Sequence, residues 1–228
     1  MPLKPAIIRK FVHDTLKPVD TTAQFLEVLS INPELLRENP QTLKTFIESL
    51  GSVGKCLADL RILAICEQPE EHQWTTTDLR KLVIEHTARL KTKASCGVNV
   101  GGPPIAVRVM EGLLPYAFNN AAYFADHFGN RLSKLILTDT VADGRPGARI
   151  VYEIETADEL EPEFSACEPF FPLSKTTLSL KFNTGFILCA MKAIIELHHG
   201  TFVCAAAGSH ATIEMLLPVV LSTEPPQS

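Results

Sequence analysis

Near the start of the chain stand six consecutive residues with the makings of a reactive centre: His13-Asp14-Thr15-Leu16-Lys17-Pro18. A neutral imidazole is nucleophilic near neutral pH and can carry a labile phosphoryl group. Asp14, its immediate neighbour, is placed to orient the ring or to act as its general base. Adjacent residues on a helix diverge by about 100°, so both fit at the solvent-facing margin of a seam made by Val12 and Leu16. Lys17 follows His13 by one helical turn, which brings an ammonium within reach of an incoming phosphoryl group. A solvated surface charge explains Lys17 equally well. Pro18 removes a backbone hydrogen bond at a cost of roughly 3 kcal/mol, so a kink is expected beside the histidine. The other histidines have no comparable surroundings. His198 and His199 end a predicted helix and fit as its polar C-terminal residues, favourable to its dipole when protonated. His72, His86, His127 and His210 have no metal-ligand spacing, and no metal site is predicted.

The element that must carry His13 is an amphipathic helix from about Lys4 to Ile31, with Ile8, Val12, Leu16, Val19, Ala23 and Leu26 at three- and four-residue spacing. Asn32-Pro33 breaks it and Asn39-Pro40 closes the turn region. A second helix follows, in which Leu43, Phe46, Ile47, Leu50, Val53, Leu57, Leu60 and Ala64 keep a heptad-like rhythm to about Cys66. A hairpin of two long helices buries only part of its apolar faces, so two copies are expected to pair into a four-helix bundle. The chain is therefore predicted to be a homodimer.

The polar run Glu67-Gln68-Pro69-Glu70-Glu71-His72-Gln73 divides the chain into a helical hairpin over 1–68 and a mixed domain over 74–222. In the second part, Thr77 is the expected N-cap of a helix to about Lys91. Gly97 to Gly102 reads as loop or weak strand, and Pro104 to about His127 as a further helix. Leu132–Val141 and Ala148–Thr156 are predicted strands joined by the turn Asp143-Gly144-Arg145-Pro146-Gly147. A helix over Thr184–His198 precedes a closing hairpin, Thr201–Ala206 and Thr212–Pro218, turning around Gly208. Helices on one side of a mostly antiparallel sheet make this part an α+β sandwich.

With 228 residues, 46% hydrophobic and 21% charged, the composition is that of a globular protein. A net charge of −5 without a Lys/Arg cluster argues against nucleic acid as partner. The six cysteines include no CxxC pair and read as buried or free thiols of a cytoplasmic protein. No apolar stretch is long enough to span a bilayer and no signal-peptide layout is present, so no membrane association is expected.

Further motifs follow in order. Asn119-Asn120-Ala121-Ala122-Tyr123-Phe124, Glu168-Pro169-Phe170-Phe171, Asn183-Thr184-Gly185-Phe186-Ile187-Leu188 with Ile195-Glu196-Leu197-His198-His199-Gly200, and Gly208-Ser209-His210-Ala211-Thr212 before Leu217-Pro218 succeed the His-Asp-x-x-x-Pro run. This order resembles the core of two-component histidine kinases and of their histidine-phosphotransferase relatives, over nearly the whole chain. The resemblance implies a dimerisation and phosphotransfer hairpin with His13 as phospho-acceptor, followed by an ATPase-like domain. It matches Asn120 to the magnesium-binding asparagine and Gly185 to the second glycine motif. The departures are specific. Near Glu155-Thr156-Ala157-Asp158, where an adenine-contacting aspartate and two glycines belong, there is no glycine. The second glycine motif keeps only Gly185, and Ile187 stands where a triphosphate needs room.

These departures imply a phosphorelay protein that carries a phosphoryl group on His13 between receiver-domain aspartates of response regulators, without autokinase activity. Its second domain is then a docking or scaffolding surface, and no cofactor is firmly implied. The alternatives are a soluble histidine autokinase with an atypical site for ATP and magnesium, and a dimeric pseudokinase scaffold.

Overall fold

The computed structural model describes residues 19–20, 22–28, 31, 34, 40–67, 73–90, 97–142, 144–160 and 184–220. His13, Asp14, Lys17 and Pro18 lie outside the described residues, as do Asn183 and the run Glu168 to Phe171. The elements in chain order are α1 (Pro40–Glu67), β1 (Trp74–Asp78), α2 (Leu79–Leu90), β2 (Gly97–Asn99), β3 (Ala106–Met110), α3 (Leu113–Phe128), β4 (Gly129–Ala142), β5 (Arg145–Leu160), α4 (Thr184–Leu197) and β6 (Thr201–Pro218).

The main sheet has the order β2-β4-β5-β6, antiparallel except for β2, which runs parallel to β4. Alternation along the strands sorts the two faces. Leu135, Leu137, Ile150, Tyr152, Ile154, Ile213, Met215 and Leu217 are buried in the shared core with Phe118, Ile187, Met191 and Ile194 of the helices. The intervening residues include Lys134, Arg149, Glu153 and Glu214, and Arg149 grips Glu214 with two bonds of 2.7 and 2.6 Å. That bond, more than the opposing burial, holds the Glu214 carboxyl below its ordinary range. A mixed α+β sandwich therefore follows the hairpin helix, as the pattern of elements predicts.

Three local expectations are corrected. The stretch after Pro104 is not one helix: Ala106–Met110 is β3, paired antiparallel with β1 from Trp74↔Met110 to Asp78↔Ala106, and α3 starts only at Leu113. Alternating Val107 and Val109, both buried, fit a half-covered strand better than a helix. Thr77 lies in β1 and is not the cap of α2. Asp78 is: its Oδ1 accepts from the Arg80 N–H at 3.0 Å and from the Ile105 N–H at 3.1 Å. The closing hairpin is a single strand, β6, paired with β5 from Gly147↔Pro218 to Glu155↔His210. Gly208, at φ 57°, sits where the register slips between Glu155 and Leu160, so its left-handed conformation serves a bulge instead of a turn.

The end of α4 is a tight stop. The Gly200 N–H donates to Ile195 O and the His199 N–H to Glu196 O, both at 2.9 Å, with His199 in the left-handed region at φ 58°. A Cβ on Gly200 would collide with the Leu216 carbonyl oxygen of β6. Gly200→Ala is expected to lower stability by about 2 kcal/mol, seen as an earlier urea midpoint with unchanged slope. His198 corrects a further expectation. It is 2% exposed and sits between the Ile194 carbonyl, 2.6 Å from Nδ1, and the Met110 N–H, which donates to Nε2 at 3.0 Å. It closes the helix end as a neutral ring, because burial pulls its pKa below the ordinary value.

Helix α1 has two apolar faces. Cys56, Asp59 and Ile62 are buried, and α1 packs along α4 so that Ile62 joins the sandwich core, with Ile65 and Cys66 packed against it. The other face exposes Ile47, Leu50 and Leu57. Residues 22–28 are helical, and Phe25 meets Phe46 of α1 with ring centres 4.6 Å apart.

Candidate functional site

Asp59 occupies a position in the buried stripe of α1 where the spacing calls for an apolar side chain, and it is fully buried. Three donors converge on its Oδ1. Lys55, one turn earlier on α1, donates from Nζ at 2.5 Å; Tyr116 donates its hydroxyl at 2.7 Å; Asn120 donates Nδ2 at 3.0 Å. The Lys55 ammonium also donates to the Tyr116 hydroxyl at 3.2 Å. It lies 4.9 Å from the Tyr116 ring centre and 5.8 Å from that of Tyr123. Tyr116, Asn120 and Tyr123 share one face of α3 at four- and three-residue spacing, which is why one helix supplies all three groups. Asp59 Oδ2 has no hydrogen-bond partner among the described residues.

The electrostatics follow from burial. It lowers the Lys55 pKa despite the opposing pull of Asp59. It raises the Tyr116 phenol well above its ordinary range, with the Asp59 charge and hydrogen bond adding to the effect. Tyr123 is raised by burial first and by Asp59 second. The phenols thus stay protonated, and the Tyr116 hydroxyl accepts from Lys55 while it donates to Asp59. With no solvent access, Asp59 cannot reach a substrate. It fixes α1 against α3.

Of the sequence-predicted site residues, the structure places Asn120 in this knot, 1% exposed. Gly185 is the second residue of α4, and Ile187, one turn in, is fully buried in the core. Asp158 lies within β5. The described residues do not offer a nucleotide an open cradle at Asn120, whose side chain is enclosed and bonded to α1. Lys55, Asp59 and Tyr116 escaped the sequence reading. Their signal was a carboxylate at Asp59 in step with Cys56 and Ile62, preceded one turn earlier by a lysine.

Other chemistry is limited. Among the described residues no group of three or more His, Cys, Asp or Glu side chains could hold a metal ion. No disulfide joins Cys56, Cys66, Cys189 and Cys204 to one another, and burial pushes the Cys66 thiol up to about 11. No described helix is long and apolar enough to cross a membrane.

A helix laid against a mixed α+β sandwich gives the chain a histidine-kinase-like fold. Among solved structures it is similar to the Acinetobacter baumannii histidine kinase AdeS, with a TM-score of 0.65 at 16% identity, covering 92% of this chain and 98% of that one. It is also similar to full-length ShkA in complex with AMPPNP, with a TM-score of 0.58 at 17% identity, covering 92% of this chain and 47% of ShkA, about half its length. At such identities the likeness is one of fold. No family model and no curated protein sequence matches the chain.

Proposed function

We propose that the chain is a two-component phosphorelay protein that carries a phosphoryl group on His13 between receiver-domain aspartates and does not load it from ATP. The observation that carries this proposal is the bond from Asn120 to Asp59. The residue that matches the family's magnesium ligand is enclosed by the hairpin helix and spent on joining it to α3. The loss of glycines around Gly185 and the buried Ile187 point the same way.

The chemistry balances without a nucleotide. A ring nitrogen of His13 attacks the phosphorus of an aspartyl phosphate on the partner. The P–N bond forms as the acyl P–O bond breaks, and the aspartate leaves as carboxylate. Asp14 orients the imidazole and, as general base, accepts the proton that the ring's other nitrogen gives up as the P–N bond forms, and Lys17 faces the equatorial oxygens. Transfer to a second receiver reverses these steps. The partner supplies magnesium and its own charged groups.

Dimerisation belongs to the same proposal. Ile47, Leu50 and Leu57 on α1 and Leu26 and Val28 on the preceding helical residues are exposed and apolar, and the same seam of a second copy covers them. The alternative, a histidine autokinase with an atypical ATP site, is favoured by the fold likeness to the histidine kinase AdeS and to ShkA in complex with AMPPNP. Isothermal titration separates the two. Mg-ATP is expected to give no saturable heat at micromolar protein, whereas a phosphorylated receiver domain labels the chain. A saturable isotherm together with labelling from γ-labelled ATP would establish the autokinase instead.

A further inference from the structure

A cavity of about 370 Å³ opens at the C-terminal end of α4, lined among others by Trp74, Arg108, Leu197, His199, Val219 and Val220. Helix α4 has 14 residues and rises about 1.5 Å per residue, so the cavity and Gly185 lie at its opposite ends. No side chain of the Asp59 knot lines it.

Its walls are set by the fold. Trp74 and Arg108 come from the paired strands β1 and β3. His198 backs Trp74, with ring centres 5.2 Å apart at an edge-on angle, and is itself pinned through both ring nitrogens. The Val220 N–H donates to Ala106 O at 2.8 Å, which fixes the chain after β6 along the rim. His199, also on the lining, holds the left-handed conformation that ends α4.

The surroundings are mainly apolar with one strong charge. The Arg108 guanidinium lies 5.5 Å from the Trp74 ring centre, and among the described residues no carboxylate pairs with it. A planar guanidinium held on an aromatic face still presents its N–H edge for a two-point bond to a carboxylate. The negative end of the α4 dipole opposes an anion here. Its last carbonyls, however, already accept from His199, Gly200 and the His198 ring, which leaves Arg108 to set the charge preference at the mouth. The volume is in the range of small-molecule pockets.

The geometry points to a binding site for a small amphipathic anion, an aryl or short-chain carboxylate. Its apolar body fills the space between Trp74, Leu197 and Val219, and its carboxylate pairs with Arg108. Trp74 is the chain's single tryptophan, so its fluorescence reports this site alone. Titration of the full chain with 3-phenylpropionate is expected to shift Trp74 emission saturably. The uncharged 3-phenylpropionamide should bind on the order of tenfold more weakly, the loss of one charge-assisted bond pair. Arg108→Gln should erase the difference between acid and amide. Val220→Phe, at the 39% exposed rim, should block both while leaving the far-ultraviolet circular dichroism unchanged. Equal binding of acid and amide to the unaltered chain overturns the anionic assignment. Emission that does not respond through the millimolar range overturns the site.

Discussion

Asp59→Ala is expected to cost about 3 kcal/mol of stability, read as a shift of the urea unfolding curve followed by Trp74 fluorescence. The change removes the single acceptor shared by Lys55, Tyr116 and Asn120. Asn120 keeps a buried amide without that acceptor, and the 18% exposed Lys55 side chain keeps a charge without its partner. A missing partner costs more than the pair is worth as a pair. The double variant Asp59→Leu with Lys55→Met should therefore recover most of the loss, since it removes the charge together with its partner and restores the apolar step between Cys56 and Ile62. If Asp59→Ala shifts the curve by less than about 1 kcal/mol, or if the double variant is no better than the single one, the knot does not hold α1 to α3.

The knot also shows where a sequence runs out. Helix α4 and the β4–β5 hairpin were legible because their signals are local. A continuous apolar period marks the helix, and Gly144, at φ 74°, marks the turn. Strands β1 and β3 were not legible. Each has five residues, and each is a strand only because the other, some thirty positions away in sequence, lies beside it. The Thr75-Thr76-Thr77 run belongs to that pairing, although it also resembles a capping region. Helix α1 was legible on one face only. Its heptad rhythm picked out Ile47, Leu50 and Leu57, which are exposed, and passed over the stripe containing Asp59, which meets the sandwich. A helix with two apolar faces gives one blended period, and only tertiary packing decides which face is covered first. Asn120 was matched by motif to a magnesium ligand, and in the structure its side chain bonds Asp59, 61 positions away.

His13→Ala is expected to abolish phosphoryl acceptance from a phosphorylated receiver domain while leaving the dimer intact. Alanine offers no nucleophile, so the loss is complete and not graded. Because alanine is a strong helix former, the predicted first helix and its seam should survive. Asp14→Asn keeps the shape but removes the general base, and a fall of about a hundredfold in transfer rate is expected. The label itself gives an independent check. A phosphoramidate on imidazole survives alkali and is lost in acid, whereas an acyl phosphate is lost in alkali. Alkali-stable label on the unaltered chain, absent from His13→Ala, is the expected pair of results, with equal dimer mass for both by light scattering. Undiminished label on His13→Ala would move the acceptor to another residue. Normal acceptance by a chain that has become monomeric would separate the phosphoryl chemistry from the bundle, because a His13 that works without its partner copy does not need the seam of Ile47, Leu50 and Leu57 to be covered.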